Sequence, residues 1–322
     1  MQTHHIVRFL SLGILLVFAF IMGYMAAHPN FGIDQVPPEP TPALEQFPTK
    51  IVHVASYEWH QVVGRGFLDG GFFEGKSVET QISQIFVSVL GKTNPRDGIV
   101  FDVGMNTGLY TCLAATAGFT VHSFEPQPMC HRLMNYMIWK NEFGSRVHLH
   151  LAGAGLEMGV IKQNSDVCDS GNTATDASEG AHFHQIPIQR ISFLLNRRIS
   201  QPIILMKMDT EGFEINILRD LLPLFEQGRI HNLVVETIPC VWKERGYDVQ
   251  VGVQVLSRLQ QIAKRTLVLS DPNPPKQGVT QVDIDFNNEI SGPFYSIDDM
   301  SVFLLLDRLP PRSGCNLVFT FV

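Results

Sequence analysis

Apolar and polar positions along this chain fall into blocks of two kinds, and from residue 98 onward the two kinds take turns. Residues 99–103, Ile-Val-Phe-Asp-Val, are a short β-branched run of the sort buried on both faces of a parallel sheet, and a helical spacing follows from Leu109 to Ala117. Strands are predicted at 98–103, 120–125 and 147–151, with helices at 108–117 and 128–141 between them. The exchange continues with strands at 203–208, 232–236 and 266–270 and helices at 213–222 and 251–264. Such alternation specifies parallel strands joined by crossover helices, hence an α/β, doubly wound sheet. Two late apolar runs, 302–306 and 317–322, predict a closing antiparallel hairpin. Ahead of the first strand, Ile82, Ile85, Phe86, Val89 and Leu90 predict a helix over 78–90. Residues 163–184 are a polar insertion rich in Ser, Asn, Asp and Gly, without periodic pattern.

The amino terminus follows a different rule. Residues 9–27 are apolar and uncharged, about the length that spans a bilayer core, and longer than the ~7–15-residue core of a cleaved signal. Arg8 precedes the run and no Lys or Arg follows it until Lys50, so the positive-inside bias points the amino terminus at the cytosol. The expectation is a single-pass type II membrane protein of the endoplasmic reticulum or Golgi, with a short cytosolic tail (1–8), a transmembrane signal-anchor (9–27), a proline-rich stalk (28–50), an amino-terminal cap (51–97) and a luminal catalytic domain (98–322). The net charge of −7 over 322 residues, with no basic run, argues against nucleic acid as a partner. Five scattered cysteines show no metal-ligand spacing. A luminal domain could pair two or four of them, but Cys112 and Cys130, on predicted helices, read as small buried thiols.

Chemistry concentrates where the first strand ends. After Asp102-Val103 the chain runs Gly104-Met105-Asn106-Thr107-Gly108, and Gly104, Asn106 and Gly108 tolerate the left-handed backbone that a ligand-cradling loop needs. The next strand ends in Phe124-Glu125-Pro126, placing Glu125 at the carboxyl edge of the sheet, where a carboxylate can accept both ribose hydroxyls. The third glycine of the dinucleotide fingerprint is missing, which is no loss to a ligand without a pyrophosphate. S-adenosylmethionine (SAM), with a ribose and an amino-acid tail, suits the pattern.

A second charged turn, Lys207-Met208-Asp209-Thr210-Glu211-Gly212-Phe213-Glu214, follows the strand at 203–208 and converges on the same edge. With the first motif, Asn141 at the end of its helix, and Val235-Glu236, it resembles the FkbM family of SAM-dependent methyltransferases over roughly residues 80 to 240. The chain departs from the family at Met105, where Ala is frequent, and at Ile191-Ser192, where a Leu-Asp pair is frequent. The resemblance implies a class I methyltransferase sheet and O-methylation of a hydroxyl on a glycan, a glycolipid or a related small molecule. In that reading Asp102 holds the loop or the methionine amino group, Gly104 and Asn106 approach the methionyl tail at the Gly108 turn, and Glu125 binds the ribose. Asp209 or Glu211 is the candidate base or metal ligand, and Lys207 orients a carboxylate or stabilises the developing alkoxide. Asp209 and Glu211 could together contact a divalent metal, but two oxygens from one loop do not make a site, so the metal is left unknown. Glu214 is as well explained structurally, and His148 and His150 share one strand face as satisfied structural residues.

Two other classes compete. A luminal glycosyltransferase would share the anchor-and-stalk layout and needs a nucleotide-sugar site, for which Asp283 and Asp285 are the available Asp-x-Asp pair. A non-catalytic adaptor on a methyltransferase fold would not need the intact acids at 102, 125, 209 and 211.

Overall fold

The computed structural model describes residues 49–62, 78–164, 168, 183–269, 279–282, 294–297 and 315–322. It opens with a hairpin of β1 (Thr49–Val54) and β2 (Tyr57–Val62), followed by α1 (Val78–Gly91). The expected alternation then appears as β3 (Ile99–Val103), α2 (Leu109–Thr116), β4 (Thr120–Glu125), α3 (Pro128–Lys140) and β5 (Val147–Leu151). The strands that flank the polar insertion, β7 (Gly159–Asn164) and β8 (Phe183–Gln189), form a small sheet with β6 (Gly153–Ala154). After α4 (Ile191–Arg197) come β9 (Ile203–Met208), α5 (Glu214–Glu226), β10 (Asn232–Thr237), α6 (Pro239–Glu244), α7 (Val249–Ile262) and β11 (Arg265–Leu269). Short strands β12 (Val279–Val282) and β13 (Phe294–Ile297) precede β14 (Cys315–Thr320).

The main sheet runs β12-β13-β11-β14-β10-β9-β3-β4-β5. From β3 the chain winds outward through β4 to β5, then returns to β9 on the other side of β3 and winds outward through β10. All of these neighbours are parallel. The reversal puts a crevice at the carboxyl ends of β3 and β9, the place where open α/β sheets bind ligands.

Two expectations need correction. The fold class was expected to include one transmembrane helix; among the described residues no helix is long and apolar enough to cross a membrane, and the expected span at 9–27 lies outside the described residues. The closing hairpin is also different. Its second run forms β14, but β14 is inserted between β10 and β11, antiparallel to each, and its expected partner at 302–306 lies outside the described residues. Burial supplies the reason: Leu317, Val318 and Phe319 are each at most 5 % exposed, so both faces of the strand are apolar and covered, which suits the interior of a sheet.

The hairpin at 49–62 has no counterpart in the periodic pattern, yet it joins the core. Val52, Trp59 and Val62 pack in one cluster with Ile82, Ile85 and Phe86 of α1, Leu113 of α2, and Met134 and Met137 of α3. Asn141, the residue after α3, accepts from the His60 backbone N–H at 2.6 Å and returns its own amide to the His60 carbonyl at 2.9 Å. This reciprocal pair ties the hairpin to the end of α3 across 81 residues of sequence. Asn141→Ala should therefore cost about 1–3 kcal/mol in urea unfolding, the penalty for stranding covered backbone groups. His60→Ala should be nearly neutral, because both bonds go to backbone atoms; equal losses from the two variants would count against this account.

Candidate active site

The site grows from the two loops that leave β3 and β9. Gly104, at φ 80°, follows β3, and a Cβ built there would lie 1.7 Å from the Asp209 carbonyl oxygen. Glycine is thus required first by the approach of the two loops to each other, and Asp209 N donates to Val103 O at 2.9 Å across the same seam. Gly104 and Met105 amides both donate to Phe124 O, folding the loop back over the end of β4. Gly108, also at φ 80°, has Met134 Sδ 2.3 Å from a built Cβ, so its smallness serves the packing of α3.

Glu125 is 3 % exposed and spans the loop: one oxygen accepts from Asn106 N at 2.9 Å, the other from Gln127 N at 3.0 Å. Burial pushes its carboxyl up to about 6 against the pull of these backbone donors, the Gln127 side chain and the Lys207 charge. Asp102 is fully buried; one oxygen accepts from Thr111 Oγ1 at 2.6 Å, and Thr111 in turn meets Ser123 Oγ at 2.7 Å. Burial raises the Asp102 carboxyl, opposed by Lys207 and Thr111. Its other oxygen, Oδ1, has no hydrogen-bond partner among the described residues. A buried acceptor without a donor is costly, and the cationic amino group of a SAM methionine is the kind of donor that offsets the cost. With the acidic, loop-bound Glu125 for a ribose hydroxyl, the residues present fit that cofactor.

Lys207, 5 % exposed, donates to Gly104 O at 3.2 Å and to Asp209 Oδ2 at 3.1 Å, with the Tyr110 ring 5.5 Å from its ammonium. Its charge is committed to the protein's own loops, so it positions Asp209. The Asp209 side chain retains 30 % exposure. Burial raises the Asp209 carboxyl, but Lys207 and a hydrogen bond from Glu236 outweigh this and leave it below the usual range. Glu236 is driven the other way, upward, by burial and by the charge of Asp209. The two shifts are opposite in direction, favouring the carboxylate at Asp209 and the neutral acid at Glu236. Glu236 stands beside Asp209 because Val235 of β10 is in register with Met208 of β9.

Glu211 sits in left-handed backbone at φ 55°, and its carbonyl accepts from Arg245 Nε at 3.4 Å. Glu214 is structural: it takes Thr210 N, Thr210 Oγ1 and Gly212 N on one oxygen and Trp242 Nε1 on the other. Among the described residues no group of three His, Cys, Asp or Glu is arranged to hold a metal ion. His148 and His150 share their sheet face with His122, whose Nδ1 lies 3.0 Å from His150 Nε2. His122 is pushed down to about 2 by burial and by the two neighbouring imidazoles. His184 is exposed on β8, whereas His182, Asp283 and Asp285 lie outside the described residues.

Sequence reasoning missed three participants. Glu236 was readable as the acid ending a strand, but its pairing with Asp209 depends on sheet order. Gln61 reaches the loop from the unanticipated hairpin, donating to Thr107 O at 2.9 Å. Cys130, expected as a free buried thiol, is corrected to a disulfide with Cys168, which sets the Cys168 sulfur 3.7 Å from Asn106 Oδ1. The bond fastens residue 168 to the first turn of α3.

Residues 102–246 match the family described as Methyltransferase FkbM domain. This segment is an FkbM methyltransferase domain. The enzyme is accordingly a SAM-dependent methyltransferase, and SAM is its cofactor. No curated protein matches the chain. Among solved structures, SMU.1697c of Streptococcus mutans in complex with SAH is 11 % identical, with 74 % of this chain and 96 % of that one covered at a TM-score of 0.37. The SAM-dependent methyltransferase of Agrobacterium tumefaciens is 9 % identical, with 85 % and 70 % covered and a TM-score of 0.42. The O-methyltransferase of Bacillus cereus in complex with SAH is 10 % identical, with 74 % and 79 % covered and a TM-score of 0.36.

Two outcomes follow for the FkbM domain. Because the folded Glu125 carboxyl lies above its unfolded value, the native state holds the extra proton between about pH 4.5 and 6, and stability falls as pH rises through that window, by about 2 kcal/mol. Glu125→Gln should flatten that slope in urea unfolding while weakening SAH binding in calorimetry; an unchanged slope would remove Glu125 as its source. Peptide mapping without reductant should find Cys130 joined to Cys168, with Cys240 alkylated at once and Cys112 and Cys315 only after unfolding.

Proposed function

We propose that the chain methylates a hydroxyl group of a glycan, glycolipid or related small molecule, with Asp209 receiving the hydroxyl proton. The observation that carries this reading is the partly exposed Asp209 carboxyl just after β9, 3.1 Å from the Lys207 ammonium, whose charge favours the ionised form. When bound, SAM supplies an electrophilic methyl on a sulfonium that becomes neutral on transfer. Asp209 takes up the proton released from the acceptor, so the total charge of the enclosed site is the same before and after the reaction. That balance matters in a low-dielectric crevice, where creating net charge is expensive. Glu236 carries the first proton of the pair and leaves Asp209 as the remaining acceptor. Glu211, on the same turn, is a second acid whose charge acts on Glu236.

The disulfide supports an oxidising setting such as the lumen of the endoplasmic reticulum or Golgi. An adaptor without turnover is the competing outcome, and the test separates the two. With labelled SAM and a membrane glycan extract, the label should appear as an O-methyl ether by product mass; label on nitrogen or carbon, or none, would overturn the proposal. Asp209→Asn should lower turnover roughly 10²–10⁴-fold with SAH affinity little changed. Glu236→Gln, which still presents a donor to Asp209, should retain most turnover.

A further inference from the structure

We propose that Gln61, on the amino-terminal hairpin and outside the segment matched to the FkbM family, is a positioning residue that sets the conformation of the cofactor loop and thereby SAM affinity. The inference rests on reading residues 104–108 as that loop. Gln61 is 0 % exposed, and both ends of its amide are used: Oε1 accepts from Trp59 Nε1 at 2.9 Å, and Nε2 donates to Thr107 O at 2.9 Å. A buried amide is retained at low cost only when its groups are paired, so this side chain has one orientation.

The target of the bond matters more than its strength. Thr107 lies between Asn106 at φ 51° and Gly108 at φ 80°, two residues in left-handed backbone. The Thr107 carbonyl and the Gly108 amide belong to one peptide plane. Met105 O accepts the Gly108 N–H of that plane at 2.8 Å, and Gln61 holds its carbonyl from the other side. Rotation of the plane changes ψ of Thr107 and disturbs the turn that begins at left-handed Asn106, whose N–H donates to Glu125 Oε2 at 2.9 Å. Gln61 thus acts on Glu125 through the loop and touches neither the cofactor nor the acceptor. The hairpin does not depend on Gln61 for its docking, because His60 with Asn141, Val62 N with Met137 Sδ, and the buried Trp59 and Val62 hold it independently.

Calorimetry with SAH on the full-length chain, together with hydrogen exchange of residues 104–109, tests the assignment. Gln61→Met, close in volume but unable to donate, should weaken SAH about tenfold and speed exchange at Asn106 to Gly108, while exchange in β3 and β4 stays as in the wild type. Trp59→Phe, which keeps the bond to Thr107, should bind SAH within about twofold of wild type. Should Gln61→Met fold poorly, Gln61→Leu is close in volume, has no donor for Thr107 and should show the same loss. Wild-type affinity and wild-type loop exchange in these Gln61 variants would overturn the inference. If that happened while Glu125→Ala lost SAH, the reading of the loop would stand and only the role of Gln61 would fall. If neither the Gln61 variants nor Glu125→Ala changed SAH binding, the loop reading itself would be lost.

Discussion

The buried ammonium of Lys207 is the interaction on which the rest of the site depends. It sits where the sheet reverses its winding, with Gly104 O on one side and Asp209 Oδ2 on the other, and it belongs to neither loop. Without it, the carboxylates of Asp102, Asp209 and Glu125 would share a covered space with no compensating charge, and each would be driven toward its neutral form. The ammonium therefore does two jobs with one charge. It holds the end of β3 to the end of β9, and its charge lowers the Asp209 carboxyl and so favours the carboxylate there. The demand for glycine at 104 follows from the same closeness, since the loops meet at a distance that admits no side chain.

What could be read from the sequence was what depends on local period. The alternation of short apolar runs with 3.6-residue patterns located β3, β4, β5, β9, β10 and β11 to within a residue or two, because strands buried on both faces and amphipathic helices leave different spacings. Glu125 and Asp209 were legible for the same reason: each follows a run whose end is sharply marked. Contacts between segments remote in sequence were not legible. The Asp209 and Glu236 pair needs the sheet order, the Gln61 to Thr107 bond spans 46 residues, and the Cys130 to Cys168 bridge spans 38. The hairpin at 49–62 escaped because its burial pattern does not alternate cleanly, with β1 largely exposed and β2 covered only in part. The place of β14 was missed because an apolar run near the end of a chain does not say which strands it will separate.

The family match covers 102–246, yet the structure around the crevice draws on residues beyond both ends of that segment. β14 completes the hydrogen bonding of β10 on the side away from β9, and Thr237 at the end of β10 donates its hydroxyl to Cys315 O at 2.9 Å. Glu236 is thereby fixed from both flanks, by β9 through Val235 and by β14 through its pairing with Asn316. On the opposite side, the hairpin reaches the loop after β3. The matched segment supplies the acids, and the flanking segments supply the constraints that keep them aimed.

Counting donors separates the acids that build the fold from those with capacity to spare. An ionised carboxylate offers about four acceptor positions. Glu214 takes Thr210 N, Thr210 Oγ1 and Gly212 N on one oxygen and Trp242 Nε1 on the other, so its carboxyl is spent on the turn that carries Asp209. Asp220 is spent likewise on Arg190 and Ser192. Glu125 takes two backbone donors and the Gln127 side chain, and Asp102 leaves one oxygen without a donor. Among these carboxyls the spare buried acceptor is Asp102 Oδ1 near the end of β3, beside the donor-bound Glu125 at the end of β4. Stability alone would favour filling it or replacing it with apolar groups, which is what the core does elsewhere. Its persistence at the carboxyl edge where the sheet reverses its winding fits a ligand that brings its own donors, as SAM does.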